Sequence, residues 1–338
     1  MSIIGLSFLE PILRLLGAEG DLFNLSRQYA IPLLILFPLS MFGMVFQISF
    51  ITVGKAHLGF VVSVLGGITN IVLDYLLIAV FDMGVAGAAI ATSIGYSIPS
   101  LVGLIYFLLN RNGSLFIAKP RFDIWVILKS CSNGASEMVA SLSAGVTSLL
   151  FNVILLRMIG SDGIASMAVI MYAQALLSSA FLGYSIGISP IISYNYGKQD
   201  VDRLKKIYNI SLKSILSVSI FTFVISLILA NSLVSIFLGE GTPAYYMATK
   251  GFRIFSLSYL FMGINIFSSA MFTALNNGKV SAILSFFRTM IFIVISLMTL
   301  PFILGIKGIW LALPIAEFMG ICMATYYLRK MKPIYQYA

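Results

Sequence analysis

Asp74 stands in the stretch TNIVLDYLLI, inside an apolar run long enough to cross a bilayer, with Asn70 one helical turn before it. An Asn and an Asp four residues apart share one face of a helix. A third oxygen-bearing side chain comes from the next segment. Asp74 lies nine residues before a turn near Met83 and Thr92 nine after it. At equal rise per residue the two reach similar depth on antiparallel neighbours. An ionised carboxylate at the centre of a bilayer costs about 2.5–3.5 kcal/mol on insertion scales. Binding a proton removes that cost, and a small cation held by converging oxygens offsets it. The chemistry on offer is therefore reversible loading with a small cation, which coupled transport requires. The same residues also admit a plain packing role, with Asp74 a hydrogen-bonded polar group of the core.

A second charged set lies near the carboxyl terminus. Arg288 and Glu317 sit on the last two apolar segments, either side of a turn near Gly305. Their depths differ by about 7 Å at helical rise, a gap that two long side chains can span, and the simpler reading is a buried structural ion pair. No residues are spaced for nucleophilic catalysis, zinc or a phosphate cradle, so no enzyme activity, metal or cofactor is expected. Cys131 and Cys322 are far apart and read as small apolar packing residues, while the lone His57 falls in a short polar loop. GVAGAA at 84–89 suits close helix packing in lipid better than a nucleotide loop.

The elements that must position these residues are membrane spans. The chain of 338 residues is 59% hydrophobic and 10% charged, against about 25% charged in soluble domains. Segments of roughly 20 apolar residues span a bilayer as helices. They are expected near 30–51, 57–80, 85–109, 132–157, 164–194, 207–237, 248–274, 279–303 and 307–328, with a shorter apolar piece at 1–16. The fold class is all-α and integral to the membrane. The net charge of +9 follows topology rather than nucleic acid. Alternate loops carry Lys55; Arg111, Lys119, Arg121 and Lys129; Lys198, Arg203, Lys205 and Lys206; Lys279; and Arg329, Lys330 and Lys332. The other loops hold Arg27, Lys250 and Lys307, with basic residues at helix ends left out of both sets. The positive-inside rule places the rich side, and with it the carboxyl terminus, in the cytoplasm.

An internal repeat organises the spans. Gly54-Lys55 aligns with Gly278-Lys279 and Gly84 with Gly308, at one offset of 224 residues. Because Lys55 and Lys279 fall on the same side, the repeats are parallel, related by an axis along the membrane normal. The expected layout is an amino-terminal lobe at 1–110, a linker at 111–130 and a six-helix lobe at 131–338. On this register the first of two pseudo-symmetric six-helix bundles is expected to lack its first two to two and a half helices, on the order of 100 residues; the alternative is a genuine nine- or ten-helix variant.

The stretches GGITNIVLDYLLI…GVAGAAIAT, GISPIISYNYGKQ and FFRTMIFIVISLMTLPFILGIKGIWLALPIAEF, in that order, resemble the multidrug and toxic compound extrusion (MATE) family. NGASEMVASLS is most similar to its MepA-like bacterial branch. The resemblance implies a monomeric secondary active exporter of the cell membrane. It would carry amphipathic, often cationic drugs outward in exchange for protons or sodium ions. It also implies that Asn70, Asp74 and Thr92 belong to an amino-lobe cation site, which the family completes with a first-helix acid that this chain does not carry. Glu137 near the start of the family's seventh helix is then a candidate substrate or second-lobe ion contact, or equally a solvated acid stabilised by the helix dipole. Asn152, Tyr172 and Gln174 on the seventh and eighth helices are candidate contacts of the same kind. Sixteen methionines and 26 phenylalanines supply adaptable apolar surface for varied substrates. Two alternatives stay open: a lipid-linked precursor flippase of the same superfamily, and an inactive transporter fragment.

Overall fold

The computed structural model describes residues 2–15, 17–111, 113–119 and 121–338, and every regular element among them is helical. Two short helices, α1 (Ser2–Ser7) and α2 (Leu9–Leu15), precede the long α3 (Gly20–Thr52). α4 (Ala56–Asp74) runs on as a π-helical turn over Tyr75–Val80, and α5 (Gly84–Leu109) follows. Then come α6 (Ile124–Met158), α7 (Ser161–Gly197), α8 (Val201–Ile228) and the short α9 (Ala230–Ser235). α10 (Pro243–Phe255) and α11 (Tyr259–Ala274) are one rod joined by a 3₁₀ turn at Ser256–Ser258. α12 (Gly278–Phe286) passes through a π turn, Phe287–Ile291, into α13 (Phe292–Leu304), and α14 (Ile306–Tyr335) ends the fold. Among the described residues nine of these rods are long and apolar enough to cross a membrane.

Helix starts follow local chemistry. Asp123 accepts from the backbone N–H groups of Trp125 and Val126, at 2.9 and 3.3 Å, and so opens α6. This cap explains why α6 begins eight residues ahead of the apolar stretch expected at 132: hydropathy registers the span, while an acceptor at the first turn sets the helix end. Asp200, Thr242 and Asn277 cap α8, α10 and α12 in the same way, with Pro243 at the first position of α10. The apolar stretch expected at 207–237 is broken at Leu229, where α8 stops and α9 begins. Pro32, Pro38, Pro99, Pro190 and Pro314 all lie inside helices.

The chain divides into two compact units, Met1–Arg121 and Phe122–Ala338. In the first, α5 packs on α3 and α4. A Cβ on Gly66 would lie 2.7 Å from the Gly95 carbonyl oxygen, and one on Gly95 would lie 2.9 Å from the Asn70 Cβ. The two helices approach backbone to backbone, as small residues allow in lipid. Elsewhere in the same unit, Phe46, Phe50 and Phe107 form a buried ring cluster, with centroids 5.2–5.6 Å apart where they meet Phe107. The second unit packs around Phe151, Ile170, Phe252, Phe255, Tyr259 and Trp310, with a further layer around Phe267, Phe272 and Leu328. Cys131 and Cys322 are exposed rather than packed, which corrects the sequence expectation.

Candidate functional site

Asp74 is the last residue of α4, at the point where the helix widens into the π turn. Such turns re-aim the residues beside them and are frequent at functional sites. Asp74 is half-buried, and its Oδ1 atom is buried without a hydrogen-bond partner. One turn earlier Asn70 Nδ2 donates to Thr92 Oγ1 across the helix pair, at 3.5 Å. The Gly66–Gly95 crossing explains that meeting, because a side chain at either glycine would hold α4 and α5 apart. Asn70 and Thr92 both line a cavity of about 290 Å³ shared with Ser40, Gln47, Ser63 and Tyr96. Gln47 Nε2 donates to Ser63 Oγ at 2.5 Å on the same wall. The cavity is walled by α3, α4 and α5, so the first unit alone contains it. Asp74 borders the Asn70–Thr92 pair along its own helix and does not line the cavity. Ser40, Gln47, Ser63 and Tyr96 escaped sequence reasoning, although Gln47 carries the same signal as Asn70: an amide inside an apolar run.

The other candidates are more dispersed. Glu137 and Asn152 are exposed on α6, and Gln174 is half-buried on α7. Tyr172 is 64% exposed on α7 and stacks on Phe237, with centroids 5.9 Å apart. Among the described residues no hydrogen bond links these four. Arg288 and Glu317 do meet: Arg288 Nη1 donates to Glu317 Oε1 at 3.1 Å. Asn265, which the sequence reading passed over, donates to Glu317 Oε2 at 2.6 Å and to its backbone oxygen at 2.9 Å. Outside the spans, Tyr337 is buried and donates to the Leu328 carbonyl oxygen at 2.6 Å. Burial first, and then the neighbouring Tyr208 and Tyr335, pushes its phenol up from the ordinary value. Among the described residues no group of three His, Cys, Asp or Glu could hold a metal ion.

Asn70, Asp74, Asn152, Tyr172, Gln174, Asn265 and Arg288 lie within residues that match a known family, while Thr92, Tyr96, Glu137 and Glu317 lie outside the matched ranges. The MatE model covers residues 1–76 and 138–298, more than half of the chain. The chain belongs to the MatE family. Among curated MatE relatives, the multidrug export protein MepA of Staphylococcus saprophyticus is 27% identical over 311 residues, covering 91% of this chain and 68% of that protein. The protein of the same name from Staphylococcus aureus strain RF122 is 24% identical over 318 residues, covering 93% and 69%. Solved structures share the MatE fold. A multidrug resistance MATE family transporter in an outward-facing conformation matches with a TM-score of 0.90 at 23% identity, covering 100% of this chain and 76% of that one. A MATE protein in complex with MaL6 matches at 0.91 and 21%, with the same coverage. The homologues named among these MatE proteins are transporters rather than enzymes.

Proposed function

We propose that this MatE chain is a cation-coupled exporter of amphipathic, cationic small molecules, and that Asn70, Asp74 and Thr92 hold its coupling ion, a proton or a sodium ion. The observation that carries the reading is the buried, unpartnered Oδ1 of Asp74 beside the Asn70–Thr92 hydrogen bond, within a chain of this family. A carboxylate oxygen without a partner inside a span has unused capacity for one small cation. Loading neutralises a charge that costs about 2.5–3.5 kcal/mol unpaired at the bilayer centre, so loaded and empty forms favour different surroundings. That difference lets an ion gradient bias a conformational cycle. The names of the staphylococcal relatives support drug-like cargo.

On this reading the two compact units are the two lobes of the exporter. Glu137, Asn152, Tyr172 and Gln174 offer it an acid, two amides and an aromatic face for a cationic substrate. It works as a monomer in the plasma membrane, with its carboxyl terminus in the cytoplasm, as the distribution of lysine and arginine supports. The reading is tested in proteoliposomes with ethidium as the cargo, imposing a pH gradient or a sodium gradient in turn. Accumulation driven by one gradient supports it. Accumulation driven by neither, with correctly folded protein, contradicts it.

A further inference from the structure

Among the described residues Glu317 is the one charged side chain in the fully buried class, at 3% exposure. Its carboxylate is held by Arg288 and Asn265, yet Arg288 Nε and Asn265 Oδ1 are themselves buried without partners. An ion pair kept for stability alone is replaceable by apolar packing, and buried polar groups are normally satisfied. This one is ringed by spare hydrogen-bonding capacity. Room for it comes from Gly320, where a Cβ would lie 2.8 Å from Asn265 Nδ2 and 3.3 Å from the Arg288 Cγ.

A chain of hydroxyls leads away from the pair. Thr273 Oγ1 lies 2.7 Å from Ser281 Oγ, which lies 2.8 Å from Ser269 Oγ, which lies 2.8 Å from Ser285 Oγ. Each hydroxyl both donates and accepts, so the four form a continuous path between α11 and α12. Its outer end flanks the turn before Lys279. Its inner end is one helical turn from the pair, Ser269 being four residues after Asn265 and Ser285 three before Arg288. Joining the two takes one bridging water, for which Arg288 Nε and Asn265 Oδ1 are the unpartnered candidates.

We propose that Glu317 is a second proton-exchange group, in the Phe122–Ala338 unit, and that Ser285, Ser269, Ser281 and Thr273 carry its proton to the Lys279 side. The proposal rests on the export reading above and adds a site to it. Glu317 takes a proton from water in one state of the cycle. In the other it returns that proton to the bridging water, each hydroxyl accepts one proton and passes on its own, and water at the Lys279 turn receives the last. No bond other than O–H forms or breaks. The elements packed on α14 present one other charged group to Glu317, namely Arg288. Lys129, Glu137 and Arg157 of α6, Lys250 and Arg253 of α10, and Lys279 of α12 are all exposed, and Tyr259 adds a buried phenol on α11. Protonation leaves the Arg288 charge unbalanced. An unbalanced buried cation repels a cationic cargo in the same unit, so proton and cargo exclude each other, as antiport demands.

The test uses the whole chain in proteoliposomes, with ethidium as cargo and pyranine reporting internal pH. Arg288→Gln with Glu317→Gln removes both charges at once. The expected result is wild-type thermal melting and wild-type ethidium exchange down its own gradient, with accumulation driven by a pH gradient reduced at least tenfold. Ser269→Ala with Ser281→Ala breaks the path alone, and slows pH-driven accumulation several-fold at unchanged melting. Wild-type pH-driven accumulation in the folded Gln pair overturns the proposal. If that pair does not fold, unchanged pH-driven accumulation in the Ala pair overturns it. Wild-type protein that follows a sodium gradient and ignores pH also overturns it while leaving export standing; no ethidium movement at all removes the export reading as well.

Discussion

The carboxyl of Asp74 and the amide of Asn70 do different work although one turn of helix separates them. Asn70 is tied to Thr92, while one carboxyl oxygen of Asp74 is buried without a hydrogen-bond partner, the oxygen that the export reading assigns to the coupling ion. Removing one polar ligand of such a site forfeits about 0.5–1.5 kcal/mol. Thr92→Val or Asn70→Ala is therefore expected to raise the ion concentration for half-maximal coupling by roughly twofold to thirteenfold, at unchanged expression. Titrating gradient-driven ethidium accumulation against external ion checks this, and an unchanged midpoint in both variants contradicts it. Arg288 and Glu317 give a second residue-scale expectation. Either single charge reversal leaves a buried charge facing its like and lowers folded protein sharply, whereas Arg288→Glu with Glu317→Arg restores it; size-exclusion yield in detergent reads this directly. Asp74, Asn70, Thr92, Arg288 and Glu317 were legible in the sequence because a polar group in an apolar run stands out. Asn265 carried the same signal. The hydroxyls of Ser269, Ser281 and Ser285 did not: serine is common in spans, where it bonds back to its own helix, and only packing shows which serines face one another.

At the scale of elements, glycine placement decides which side chains can meet. The Gly66–Gly95 crossing admits no Cβ without backbone movement, while Gly67, one residue on, has nothing within 4 Å of its own added Cβ. Gly66→Val is expected to destabilise the first unit by about 1–3 kcal/mol through overpacking, and to part Asn70 from Thr92. Gly67→Ala is expected to keep the wild-type melting temperature. Thermal melting of the two variants in one detergent gives the comparison, and equal melting of Gly66→Val and wild type would show that α4 and α5 do not pack here as described. Span number and order were readable from hydropathy, because burying a backbone in lipid demands about 20 apolar residues at a time. The extension of α6 back to Ile124, the break at Leu229 and the π turns after Asp74 and around Arg288 were not. Caps and local winding depend on single contacts that average hydropathy does not register.

For the molecule as a whole, six membrane-length rods among the described residues separate Lys55 from Lys279, so both lysines are expected on one side of the membrane, in keeping with parallel repeats. With Cys131 and Cys322 replaced by alanine, Lys55→Cys and Lys279→Cys should both react with an impermeant maleimide in inside-out vesicles and neither in intact cells. Labelling from opposite sides would rule out the parallel repeat. On the export reading coupling belongs to the whole chain, since a gradient acts on cargo only when ion loading changes the conformational balance. The most direct measurement of it is gradient-driven ethidium accumulation in proteoliposomes holding Asp74→Asn beside wild type, at matched folded protein. The account predicts that the variant loses gradient-driven accumulation; accumulation equal to wild type under the same gradient would contradict it.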